Sequence, residues 1–186
     1  IATPFLECER NRSAEVSSSA CETSARMEIG STGFSLKGRA DRIDVMKDGS
    51  LAIIDYKSGV SPSAEQARTL APQLALEGAL ARAGKFHNVP AGRLQRLSYV
   101  RLREGDGFRE DDISLKNGKV DRSAEELADA AIEQLAGHIQ AYSNPDQPYV
   151  SRFAVQHETE AGGEYDHLAR VREWSLGGAD AGEDGA

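Results

Sequence analysis

Residues 38–59 read GRADRIDVMKDGSLAIIDYKSG, and they decide the fold. Phe34, Leu36 and Gly38 alternate with Ser35, Lys37 and Arg39. The alternation runs on through Ala40, Arg42, Asp44 and Val45, the period-two mark of a strand. Lys47-Asp48-Gly49-Ser50 then carries an Asp-Gly pair, a strong hairpin-turn signal. Leu51-Ala52-Ile53-Ile54-Asp55-Tyr56 follows, a short apolar and aromatic run with the character of a fully buried central strand. The stretch therefore predicts two antiparallel strands. Asp41 lies on the first, Asp55 near the end of the second, and Lys57 two residues on, where period two returns it to the face of Asp55.

An apolar strand that ends in Asp-Tyr-Lys is chemically unusual. Burying a carboxylate and an ammonium is costly unless they are paired or hold a metal. Two carboxylates brought together across a hairpin repel unless a divalent cation sits between them. Oxygen-only ligands suit Mg²⁺ or Mn²⁺, ions that keep several waters and take substrate phosphate as a further ligand. A neighbouring lysine can orient or deprotonate a water, or offset charge developing on phosphorus. The plainer reading is an Asp–Lys pair at a strand end, with Asp41 and Asp44 bonded to Arg39 or Arg42. Surface ion pairs of that kind contribute little.

Outward from this hairpin, Pro72–Ala83 predicts a helix, with Pro72 near its first turn and Gly84 just past its end. Ser58–Ser63 reads as a loop, and a helix beginning at Ser61 or Ser63 is interrupted by Pro72. Residues 94–102 read as a strand, 104–112 as a charged loop and 112–116 as a short strand before a turn at Asn117-Gly118. Ser123 with Glu126 forms a capping box, opening a helix to about Tyr142 whose apolar stripe is Leu127, Ala131, Leu135 and His138 or Ile139. Toward the N-terminus, residues 4–12 predict a helix, 13–24 a Ser-rich loop or frayed helix end, and Met27–Ile29 a short strand. Residues 166–174 predict a last short helix, and the Gly/Ala/acid stretch 177–186 a disordered tail. The order is helix, three-strand meander, helix, strand, helix. It describes an α/β fold with a sheet flanked by helices.

The 186 residues carry 22 Lys and Arg against 30 Asp and Glu, a net charge of −8. That total argues against an autonomous nucleic-acid binder, but it hides a split. Residues 31–103, which hold Asp41, Asp55 and Lys57, carry a net +6, and residues 104–186 a net −12. Cys8 and Cys21 are too few for a disulfide scaffold or a four-cysteine metal site. No run reaches the ~18 apolar residues of a membrane span. Ile1-Ala2-Thr3-Pro4 has neither a signal peptide's character nor an initiator Met. The expected setting is therefore the cytoplasm, with no membrane, for a piece of a larger protein. The four histidines show no metal-ligand spacing. Lys37, Arg39, Arg42, Lys85, Arg93, Arg96, Arg101 and Arg103 are candidates for a phosphate-facing surface.

Gly38-Arg39-Ala40-Asp41, Ile53-Ile54-Asp55-Tyr56-Lys57-Ser58-Gly59 and Pro72-Gln73-Leu74 together resemble the RecB-like branch of the PD-(D/E)XK nuclease superfamily. The resemblance is strongest to the C-terminal nuclease domain of the AddB family of helicase–nuclease subunits, and Tyr165–Trp174 is similar too. It implies a restriction-endonuclease-like core over residues 1–176: a central mixed β-sheet, an antiparallel meander plus a further strand, flanked by α-helices. It implies that Asp41 and Asp55 bind Mg²⁺ or Mn²⁺ with the backbone carbonyl of Tyr56, and that Lys57 positions or activates the attacking water. Gln73 would lie near the site and contact substrate or Lys57. Glu9 is the match for an acidic residue from an upstream helix, and Lys37, Arg39 and Arg42 would contact DNA. The implied activity is metal-dependent hydrolysis of single-stranded DNA during double-strand-break processing, with an AddA-like helicase–nuclease partner. The alternative is a non-catalytic nuclease-fold scaffold that docks a partner or guides a strand. Two departures stand out: Glu77 occupies the place of the family's helix Tyr, and with no cysteine after Cys21 no iron–sulfur cluster is expected.

Overall fold

The structure, a computed structural model, describes residues 2–59, 61–103, 107–116 and 119–148. The chain divides into two units, Ile1–Asn144 and Pro145–Ala186, and every element below belongs to the first. Helix α1 (Ala2–Ser13) is followed by strands β1 (Val16–Glu28), β2 (Ser35–Met46) and β3 (Leu51–Lys57). Helices α2 (Ala64–Thr69) and α3 (Gln73–Arg82) lead to β4 (Leu94–Arg103) and β5 (Gly107–Asp112). The small ribbon of β6 (Leu115–Lys116) and β7 (Lys119–Val120) precedes α4 (Ala124–Tyr142).

The main sheet has the order β1-β2-β3-β4-β5. Its first three strands form the expected antiparallel meander, β4 runs parallel to β3, and β5 returns antiparallel to β4. A parallel pair needs a long crossover, and α2 with α3 supplies it. Strand alternation sorts the two faces. Ile43, Leu51, Ile53, Leu97 and Tyr99 join Leu74, Leu80, Leu127 and Ala128 of α3 and α4 in one core. Ala52 and Ile54 line a cavity on the other face together with Cys8 and Arg12 of α1. Two glycines let α3 sit close. A Cβ on Gly78 would lie 3.0 Å from a Leu97 methyl, and one on Gly38 would lie 2.9 Å from a Leu80 methyl.

Local signals account for the helix starts. Ser63 with Gln66 and Ser123 with Glu126 both form capping boxes, so α2 and α4 begin where their hydroxyls satisfy free backbone N–H groups. Pro72 stands at the N-cap of α3, and Gly84 adopts φ +63° just beyond its end.

Three expectations fail. Residues 16–24, read as loop, belong to the 13-residue strand β1, and the charged segment 107–112 is strand β5. Both are edge strands. Their ladders with β2 and β4 set their conformation, and their serines and charges cost nothing on a half-exposed rim. The alternation read along β2 also breaks. Ala40 and Ile43, an odd number of residues apart, are both fully buried in the same core. The switch falls at Asp41–Arg42, beside Glu22 of β1 with its φ of +50°. Irregularities of this kind commonly re-aim side chains beside active sites. The expected turn at Asn117-Gly118, helix over 166–174 and tail over 177–186 lie outside the described residues. No described helix is long and apolar enough to cross a membrane.

Candidate active site

Strand β3 carries its apolar residues into the core and then ends in two charges. Asp55 is 2% exposed, and Lys57 places its Nζ 2.8 Å from Asp55 Oδ2. The pair shares a face, as period two requires. The parallel register sets Tyr99 of β4 beside Asp55, and the Lys57 ammonium stands 5.6 Å from the centre of the Tyr99 ring. The β2–β3 register, carried one step past Arg42↔Ile54, puts Asp41 opposite Asp55. Asp41 Oδ2 accepts the backbone N–H of Tyr56 at 2.9 Å, which ties it to the same strand end.

The first turn of α3 closes the group. Gln73 Nε2 donates to Asp55 Oδ1 and to Glu77 Oε1, at 3.0 Å each. Glu77 follows one turn later on the same helix face. It is 4% exposed, and its Oε2 is buried with no hydrogen-bond partner. Burial pushes the Asp55 carboxyl above its ordinary pKa. Lys57 and Gln73 oppose that rise, and the charge of Asp41 adds to it. Burial raises Glu77 to about 7, against the bond from Gln73 and with help from Asp55 and Asp41. Tyr99 is pushed up to about 12, by burial first and then by Asp55 and Glu77. Three carboxylates thus converge on one lysine.

That imbalance, together with the orphaned Glu77 oxygen, fits a hard divalent cation. Among the described residues no three His, Cys, Asp or Glu side chains form a metal cage by themselves. Mg²⁺ and Mn²⁺ do not need one, since water and phosphate complete their shells.

The other sequence candidates go elsewhere. Both oxygens of Glu9 are taken by arginines, Oε2 by Arg42 at 2.7 Å and Oε1 by Arg12 at 3.1 Å, so the structure does not bring Glu9 to Asp41 and Asp55. Arg42 donates also to Asp44 Oδ1 at 2.7 Å and to the Tyr56 hydroxyl at 3.2 Å. Burial works against its charge, but these bonds hold its pKa above the ordinary value. Arg42 thus ties β2 to α1 through its Nε and Nη1. Arg39 and Lys37 are exposed, and Arg39 pairs with Glu22 at 2.8 Å. Gln73 touches Asp55 and Glu77 rather than Lys57. Sequence reasoning missed Tyr99, because only the parallel pairing of β3 with β4 places it under Lys57.

A family model described as the PD-(D/E)XK nuclease superfamily matches residues 3–152. The chain belongs to this superfamily. Asp55-Tyr56-Lys57 has the Asp-x-Lys spelling in the superfamily's name. The five-stranded mixed sheet flanked by helices is the restriction-endonuclease-like fold of PD-(D/E)XK nucleases. No curated protein matches the chain significantly. A solved structure, "Crystal structure of SSO0001", is similar at 19% identity with a TM-score of 0.42, over 77% of this chain and 59% of that one. The chain therefore spans less than two thirds of SSO0001.

Proposed function

We propose that the protein is a Mg²⁺- or Mn²⁺-dependent deoxyribonuclease that hydrolyses phosphodiester bonds of single-stranded DNA. The observation that carries this reading is the convergence of Asp41, Asp55 and Glu77 on Lys57 at the end of β3, in a chain of the PD-(D/E)XK superfamily. Asp41 and Asp55, with the carbonyl of Tyr56, would hold the metal. When bound, it supplies Lewis-acid activation of phosphate and water.

The chain's own residues do the rest. Gln73 anchors Asp55 through Oδ1 and leaves Oδ2 to Lys57. Lys57 carries three donors, of which Asp55 takes one, so the others are open to a water or a phosphate oxygen. The tyrosine ring beside it fixes where that ammonium stands. In the reaction a water oxygen bonds to phosphorus and releases a proton to solvent, the bond to the 3′-oxygen breaks, and the leaving oxygen takes a proton from water. Glu77 encloses the inner side of the site through Gln73.

The finer reading is a RecB-like nuclease domain of the AddB type, extending over residues 1–176. It would act with an AddA-like helicase–nuclease subunit in double-strand-break repair. The motif order Gly-x-x-Asp, Asp-Tyr-Lys-Ser-Gly and Gln73 supports this placement, and the acidic stretch after residue 103 suits a protein-docking face.

The test joins binding to cutting. Wild-type protein is expected to bind Mn²⁺ by titration calorimetry and to cut labelled single-stranded DNA. Asp41→Asn and Asp55→Asn are expected to lose both. Full Mn²⁺ binding by the double variant would sink the assignment of the site.

A further inference from the structure

On the α3 face one amide joins two carboxylates. Gln73 is the first residue of α3 and is itself exposed, so packing does not fix its side chain. Both hydrogens of its Nε2 are engaged, one on Asp55 Oδ1 and one on Glu77 Oε1, at 3.0 Å each. This pairing orients the amide, since the flipped form would turn its oxygen on two carboxylates. Hydrogen bonds to an ionised acceptor are also the stronger kind.

Glu77 is the rigid end of the bridge. It is 4% exposed and lies one helical turn beyond Gln73, on the same face. A Cβ on Gly38 would meet a Leu80 methyl at 2.9 Å, and one on Gly78 a Leu97 methyl at 3.0 Å, so α3 sits tightly on β2 and β4. Gly38 also backs the glutamate stem, since a Cβ there would lie 3.7 Å from Glu77 Cγ. The fold therefore places the Glu77 carboxylate, whereas the Gln73 amide is placed by its two acceptors. Glu77 stands where the RecB-like pattern has Tyr, so the motif assigns no role to a carboxylate here.

Asp55 is the end that must be held. Its Oδ2 lies 2.8 Å from Lys57 Nζ, and a carboxylate turns readily about χ2. Freed from Gln73, it can offer both oxygens to the ammonium, in competition with a cation for the same lone pairs.

We propose that Glu77 is a positioning residue: through Gln73 it holds Asp55 in the orientation that receives the divalent cation, and so sets the metal affinity of the site. The proposal rests on the nuclease reading for the metal but not for the bridge. The 186-residue chain is used throughout, with Mn²⁺ binding measured by titration calorimetry and folding by circular dichroism and Tm. Glu77→Leu removes the acceptor together with a buried charge. It is expected to melt no lower than wild type yet to bind Mn²⁺ about 10- to 100-fold more weakly, the cost of losing an outer partner of a metal ligand. Glu77→Gln keeps an acceptor oxygen and should recover most of that affinity. Gln73→Leu should weaken binding as Glu77→Leu does, and the double variant no further, because the two act in series. In EDTA, NMR relaxation of the Gln73 side-chain amide reads the bridge with no metal present, and Glu77→Leu should make that amide more mobile.

Wild-type Mn²⁺ affinity in Glu77→Leu would overturn the proposal. Additive losses in the double variant would overturn the route through Gln73, as would a Gln73 amide equally ordered without Glu77. Equal losses in Glu77→Leu and Glu77→Gln would assign the effect to charge and overturn the bridge. A wild-type protein that binds no Mn²⁺ would instead sink the nuclease reading, and the mobility of the amide would still decide whether Glu77 holds Gln73.

Discussion

The two faces of one sheet bury charge in opposite ways. Under α1, Glu9 is held by Arg12 and Arg42, Asp44 by Arg42, and Glu110 by Arg12 at 2.6 Å, with Arg96 at 3.6 Å. Each of these carboxylates has a guanidinium within reach, and Ser19 donates a further bond to Asp44 at 2.6 Å. On the α3 face, three carboxylates share one lysine, and only Asp55 touches it. Asp41 and Glu77 receive amide N–H groups alone. Balanced charge holds a helix to a sheet. On the α3 face the carboxylates outnumber the lysine, and burial first, then the neighbouring carboxylates, raises Asp55 and Glu77. Burial alone does not separate structure from site; the balance of charge does.

The contrast can be broken most forcefully at Lys57. Lys57→Ala should lower the rate of single-strand cutting by about 10³-fold or more, as loss of a preorganised electrostatic group does, with circular dichroism and Tm little changed. A variant that cuts at the wild-type rate would return the α3 face to an ordinary ion pair. Next in size is Arg42→Ala on the opposite face. It strips the fully buried Asp44 of its cation and should cost about 3 kcal/mol in chemical denaturation. If that variant is as stable as wild type, the α1 face is not held by its charges.

A smaller effect is expected from metal. Mn²⁺ at ten times its Kd should stabilise the wild type by about 1.4 kcal/mol in a thermal melt. Asp41→Asn/Asp55→Asn should lose this gain, whereas Arg12→Ala, on the balanced face, should keep it. A pH-dependent effect concerns Glu77. Its folded pKa of about 7 lies above the ordinary value of 4.5, so the folded state holds its proton more tightly than the unfolded state does. The stability it contributes is full below about pH 4.5 and is lost as pH rises through 7. Glu77→Gln should remove that dependence, melting above wild type at pH 8 and close to it at pH 4.5. Parallel melting curves across this range would show that Glu77 is not held away from water as the structure has it.

Much of this was legible in residues 38–59. Alternation, the Asp-Gly turn and the apolar run ending in Asp-Tyr-Lys predict the β2–β3 hairpin, the shared face of Asp55 and Lys57 and the approach of Asp41. Capping chemistry placed α4, and Pro72 with Gly84 bracketed α3. Edge strands were not legible, since Val16–Glu28 and Gly107–Asp112 are strands by virtue of their partners' ladders. Nor was the fate of Arg42 and Glu9, which as types suit DNA and metal equally well. Only the packing of α1 onto the sheet shows that they neutralise each other.

The sequence by itself determined the hairpin, the helix that follows it and the acidic and basic residues at their junction, because these rest on local periodicity and turn chemistry. The tertiary structure alone decided which charges meet. Tyr99 reaches Lys57 through a parallel pairing from a distant strand, and Glu77 reaches Asp55 through Gln73. Lys85 joins Lys37 because the segment after α3 returns to β1. Coulomb interactions and desolvation depend on distance in space, and neighbours along the chain do not report it.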